Sequence, residues 1–157
     1  MSVRYSMDQI KKMADKLTYT HQHYRQFIEK FLLQMGMRAI AQTKALTPVV
    51  TGDLRDRWEL SEITRVGDLV YISLINTMEY ASYVEDGHMQ YARWVPGRWD
   101  GDVFKYEPGS KTGMKLSTKW VPGQHMARIS MDKIERELPA RYQRAFQKFL
   151  NEGWKST

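Results

Sequence analysis

From Thr20 to Leu46 the chain carries an apolar pattern that a helix satisfies and a strand does not. Tyr24, Phe27, Ile28, Phe31, Leu32, Met35, Ala39 and Leu46 fall on one stripe at the 3.6-residue period. Leu33, Met37, Ile40 and Ala41 form a second stripe beside it, so this helix buries more than one side. Pro48 disfavours helical backbone at Thr47, which places the end of the helix near Leu46. Upstream, Ser6 and Gln9 have the spacing of a capping box, and Met7, Ile10, Met13, Ala14 and Leu17 recur at helical intervals. Thr18 and Thr20 interrupt that run, so a break or kink is expected there.

Beyond the helix, Pro48 to Asp53 is turn chemistry. Trp58–Val66 reads as a strand, Gly67-Asp68 as a two-residue hairpin turn, and Leu69–Ile75 as a second strand. The second strand is apolar on both faces, which predicts a central or doubly covered position. Tyr80, Tyr83 and Val84 predict a short helix closed by Gly87. Residues 89–123 are rich in glycine and proline, and Trp94-Val95-Pro96-Gly97 recurs as Trp120-Val121-Pro122-Gly123. This predicts two short strands flanking a long flexible loop, about 89–119. From Met126 to Leu150 the helical period returns, with Pro139 predicting a kink or two helices and Gly153 closing the segment. The expected fold is α+β: a small antiparallel sheet with a β-hairpin, packed against long N- and C-terminal helices.

A length of 157 residues suits one domain spanning 1–157, large enough to fold without a disulfide or metal staple. The absence of cysteine excludes disulfide scaffolds, thiol nucleophiles and thiolate metal sites. No stretch reaches the ~18–20 apolar residues of a membrane span, and no signal-peptide core is present, so a cytoplasmic protein or a non-classical route is expected. A net charge of +6 permits nucleic acid or an acidic protein surface as partner.

Candidate chemistry is sparse. Glu85, His88 and His125 could together hold a divalent metal, but no ligand spacing supports this, and a turn held by hydrogen bonds is the favoured reading. His21 and His23 stand two apart and do not share a helix face. No GxSxG, Walker or GxGxxG pattern occurs. Lys133, Arg136, Arg141, Arg144 and Lys148 make the last helix basic, partly balanced by Asp132, Glu135 and Glu137. A nucleic-acid-binding module using that helix and the loop aromatics is the alternative function.

Residues 47–58, 76–88 and 121–126 together resemble segments of a family of minor structural proteins of tailed phages. Thr47-Pro48-Val49-Val50-Thr51-Gly52-Asp53-Leu54-Arg55-Asp56-Arg57-Trp58 is similar to that family's TPVDTGxLRxSW segment. Residues 76–88 resemble its NxxEYAxYVExGH segment, and Val121-Pro122-Gly123-Gln124-His125-Met126 resembles the segment opening its last helix. Val50 stands where the family often has aspartate, and the 89–119 stretch is longer than the family minimum. The resemblance implies a head–tail joining or tail-completion protein of a phage, prophage or phage-like bacteriocin, not an enzyme, and without a cofactor or small-molecule substrate. It implies a six-fold ring at the tail–neck junction of the virion, assembled in the host cytoplasm. Expected partners are copies of itself and tail-tube, tail-terminator or neck proteins, with a passing contact to DNA. Gly52, Leu54, Arg55, Trp58, Tyr80, Tyr83, Glu85, Gly87, His88, Pro122, Gly123 and His125 are then structural motif residues. Arg55 and Glu85 are expected to pair, and Trp58, Tyr80 and Tyr83 to pack the hairpin on the helices. Trp94, Trp99, Phe104, Trp120, Met35 and Met37 are the candidate interface.

Overall fold

A computed structural model describes residues 7–155, and Ser6 of the expected capping box lies outside them. The first helix, α1 (Met7–Leu46), runs unbroken for 40 residues. The threonines do not break it, because the Thr18 hydroxyl donates to the Ala14 carbonyl at 3.0 Å and is satisfied within the helix. The last helix, α4 (Met126–Lys155), is likewise one element, with Pro139 inside it and Gly153 not ending it. Between them lie α2 (Asp53–Asp56), β1 (Trp58–Leu60), β2 (Thr64–Val66), β3 (Leu69–Tyr71), β4 (Leu74–Asn76) and α3 (Ala81–Asp86). The strands β5 (Gly87–Gln90), β6 (Arg93–Asp100), β7 (Val103–Tyr106), β8 (Gly113–Leu116) and β9 (Lys119–Pro122) follow. The architecture is α+β, with long terminal helices and small antiparallel sheets.

Two compact units form within the chain. The helical unit joins the two ends of the chain, up to Thr77 and from Met126, and the β unit is Met78–His125.

In the helical unit, α1 and α4 pack side by side. Phe31, Met35, Ala39 and Ile134 form the buried core, with Tyr142 and Ala145 against it. Tyr24, Phe27 and Phe31 stand three and four residues apart on α1, and Tyr142, Phe146 and Phe149 do the same on α4. Their rings interlock: Phe27 stacks on Phe149 with centroids 4.7 Å apart, and Phe31 meets Tyr142 edge-on at 5.5 Å. Each such pair adds about 0.5–1.5 kcal/mol beyond its buried area.

The hairpin lies on α1, where Gly36 makes room for it. A Cβ at Gly36 would stand 3.0 Å from Leu60 Cδ1. The two predicted strands are each split in two. Trp58 pairs with Asn76 and Leu60 with Leu74, whereas Thr64 pairs with Tyr71. Three residues, 61–63, therefore oppose two, 72–73, and the extra residue is a β-bulge. Leu69–Ile75 is not a central strand: it pairs with one neighbour only, and Leu69 and Ile75 are exposed. Gly67 at φ 59 makes the tight turn the sequence signalled.

At the end of α1, a buried polar chain ties helix to hairpin. The Trp58 indole Nε1 donates to Thr47 Oγ1 at 2.9 Å, and that hydroxyl donates to the Thr43 carbonyl at 2.7 Å. Thr47→Val should leave the buried indole N–H unpaired and cost about 1–3 kcal/mol. For a chain of this size that is a fall in Tm of roughly 2–12 °C. Thr47→Ser, which keeps the hydroxyl, should retain most of the stability in the same melting experiment.

The Tyr142 and Tyr24 hydroxyls lie 3.2 Å apart. Burial first, and then this hydrogen bond, push the Tyr142 phenol from 10.0 up to about 12. The folded state thus keeps a proton that the unfolded chain loses. Stability from this group is intact below pH 10 and is lost as pH rises toward about 12. Tyr142→Phe should flatten that alkaline fall in Tm, and an unchanged pH profile would contradict it.

Candidate assembly surface

The two long motifs turn out to be joints. Gly52, at φ 98, takes the left-handed turn that starts α2, and buried Leu54 anchors that helix. The Asn76 side-chain amide donates to the Leu54 carbonyl at 2.7 Å. Trp58 is buried. Arg55 pairs with its neighbour Asp56, Nε to Oδ1 3.4 Å. Tyr80 and Tyr83 are 40% and 57% exposed. Thr43, Thr47 and Asn76 are the joint residues that the sequence reading missed. A threonine directly before a proline at a helix end was the available signal for Thr47.

In the β unit the second and third motifs meet. Gly87 and Gly123 press backbone to backbone: a Cβ on Gly123 would stand 2.7 Å from Gly87 N, and one on Gly87 2.7 Å from Gly123 N. Gln124 N–H donates to the Val84 carbonyl at 2.8 Å, and His125 N–H to the Glu85 carbonyl at 3.0 Å. Pro122 pairs with Gly87, and Val121 with His88, in the β5–β9 ladder. His125 sits at φ 52, the one non-glycine with positive φ among the described residues. The ring of His88 rests edge-on against Tyr83, centroids 5.5 Å apart. Among the described residues no three His, Asp or Glu side chains come close enough to hold a metal ion. None of the described helices is long and apolar enough to cross a membrane.

The stretch 89–119 is not a flexible loop. It holds β6, β7 and β8 and parts of β5 and β9, and its glycines serve turns and close contacts. Gly101-Asp102 joins β6 to β7 as Gly67-Asp68 joins β2 to β3, a hairpin signal legible in the sequence and passed over. Pro96 lies inside β6 because that strand changes partner there. Arg93–Pro96 pair with β8, and Gly97–Asp100 pair with β7, so each half of β6 has one free edge.

One device recurs three times. Trp94 covers Gly113, Phe104 covers Gly97, and Trp120 covers Gly87. In each case the glycine is two residues before the aromatic's direct cross-strand partner, which is Lys115, Trp99 and Met89 respectively. A ring lying diagonally over a bare Cα restores the packing a glycine lacks. Trp94, Trp99 and Trp120 still leave more than half of their surface to solvent. Among the other candidates, Met37 is exposed, Phe104 is half-buried over Gly97, and Met35 is a core residue. Met35 faces α4 because the stripe it shares with Phe31 and Ala39 is the one that α4 covers.

Gly123→Ala should disrupt the β unit, since the new Cβ also collides with the Glu85 carbonyl. Gly101→Ala meets nothing within 4 Å and strains only its φ of 61°, so it should cost about 1–2 kcal/mol. Limited proteolysis should cut Met78–His125 far faster in Gly123→Ala than in Gly101→Ala.

Residues 11–87 match the family described as "Bacteriophage HK97-gp10, putative tail-component". Two proteins of Bacillus subtilis (strain 168) are similar over shorter stretches. "Phage-like element PBSX protein XkdI" is 51% identical over 49 residues, 29% of this chain and 30% of its own length. "Uncharacterized protein YqbI" is 52% identical over 54 residues, 29% of this chain and 32% of its own length. The chain thus matches less than a third of the length of these curated relatives. No solved structure matches it. Through residues 11–87, which carry the first motif and nearly all of the second, the chain is similar to the HK97-gp10-like family of bacteriophage tail components.

Proposed function

We propose that the protein is a non-enzymatic structural component of a phage or phage-like particle. It completes the tail and joins it to the head at the neck, as a ring of copies, six-fold in the expected arrangement. Its neighbours are tail-tube, tail-terminator or neck proteins. The family match over residues 11–87 carries the proposal. Two surfaces support the assembly part. The β unit presents Trp94, Trp99 and Trp120 on thin sheets, and tryptophan is the most enriched anchor of protein interfaces. The first turns of α1 expose Met7, Ile10, Met13 and Leu17, a stripe at helical spacing.

Deleting the gene in a particle-producing host should yield separated heads and tails, or tails with unfinished ends, by negative-stain electron microscopy. Normal infectious particles would sink the proposal. Complementation with Trp99→Ala should lower particle yield about tenfold or more, the effect of losing an anchor worth ~2 kcal/mol, while the purified variant stays folded.

A further inference from the structure

The seam between α1 and α4 carries charge that packing does not use. On α1, Gln26, Lys30, Gln34, Arg38 and Gln42 recur every fourth residue and form one row. On α4, Lys133, Glu137, Arg141 and Lys148 follow at intervals of four, four and seven. The rows border shallow concave surfaces along the seam. Gln26, Lys30 and Gln34 line one with Lys148, and Arg38 and Gln42 line the other with Lys133 and Glu137.

Five cations stand here against Glu137 and Glu152. Arg141 Nη2 holds Glu137 Oε2 at 2.7 Å, and Lys148 is 3.9 Å from Glu152. Among the described residues no carboxylate lies within 4.0 Å of Lys30, Arg38 or Lys133. The field they make is visible on Glu137. Its carboxyl is held below the usual range by the Arg141 hydrogen bond first, and then, against some desolvation, by the charges of Arg141, Arg38 and Lys133. The β unit has equal numbers of basic and acidic residues, so the whole net charge of +6 belongs to the rest of the chain.

A solvated helix face would gain from acids four residues from each cation, by about 0.3–0.5 kcal/mol per pair. Elsewhere on α1 this is done, with Arg25 Nε 3.2 Å from Glu29 Oε1. On the seam every such position beside Lys30 and Arg38 is glutamine instead. Protein interfaces are depleted in lysine, whereas phosphate oxygens accept bonds from lysine, arginine and glutamine alike. The row from Gln26 to Gln42 spans about 24 Å, roughly seven base pairs of duplex.

We propose that this seam binds the phosphate backbone of duplex DNA without regard to sequence. Lys30, Arg38 and Lys133 contact phosphates, and the glutamine amides donate between them.

The test is fluorescence anisotropy of the full chain with a labelled random-sequence duplex, at about 50 and 200 mM salt. Three phosphate contacts give a log–log salt slope of about −2.7, or roughly 40-fold weaker binding across that range. The variant Lys30→Gln, Arg38→Gln, Lys133→Gln should remove most of that slope. A variant losing three β-unit charges, Arg93→Gln, Lys111→Gln, Lys115→Gln, should keep it. Should the triple seam variant fail to melt cooperatively, Lys30→Gln alone should reduce the slope by about one. No binding at low salt overturns the proposal, and so does equal loss in both charge variants. Displacement of the duplex by polyglutamate at equal charge concentration would overturn it in favour of an acidic protein surface.

Discussion

The helical unit depends on one seam of rings. Tyr24, Phe27 and Phe31 on α1 meet Tyr142, Phe146 and Phe149 on α4, at centroid separations from 4.7 to 6.2 Å. These residues come from opposite ends of the chain, so the unit closes only when its last segment is in place. Both helices need that partner, because a helix is stabilised mainly by what its apolar face packs against. Once the seam exists, Gly36 offers α1's next face to Leu60 of the hairpin. The chain Thr43–Thr47–Trp58 then fixes where helix ends and strand begins. The polar rows of the seam and the hairpin thus use faces of α1 that the ring contacts leave open.

The β unit solves a different problem. It has few fully buried side chains, so it cannot rest on a large core. Its order comes from close backbone approach at Gly87 and Gly123 and from rings laid over glycines. Both devices need glycine, which explains a composition that reads as loop. An aromatic that covers a glycine with one face keeps the other face for solvent or a neighbour. Trp94 and Trp120 thus meet a structural need and still leave more than half of their surface to solvent.

Much was legible in the pattern. The extent of α1, the start of α4, the Gly67-Asp68 turn and the short helix before Gly87 follow from period and turn chemistry, which are local properties. The misreadings share a cause. The bulge at 61–63, the partner change at Pro96 and the β order of 89–119 are settled by which strands pair, and pairing is not local. Met35 illustrates the same point for the site. It and Met37 are two residues apart on a broad apolar helix, and only the position of α4 makes one core and the other surface. Thr18 erred in the other direction: its propensity argued for a kink, and one hydrogen bond to Ala14 removed the reason.

By itself the sequence determined the class of fold, the two long helices, the turns, and the family likeness carried by its motifs, because spacing and glycine positions are printed in the chain. Only the tertiary structure decided that there are two units. It also decided that Gly87 meets Gly123, that Tyr80 and Tyr83 face outward, and that a row of cations and amides borders the α1–α4 seam. The physical reason is distance along the chain. A side chain's partner, and therefore its burial and field, comes from residues tens of positions away, and periodicity does not carry that information.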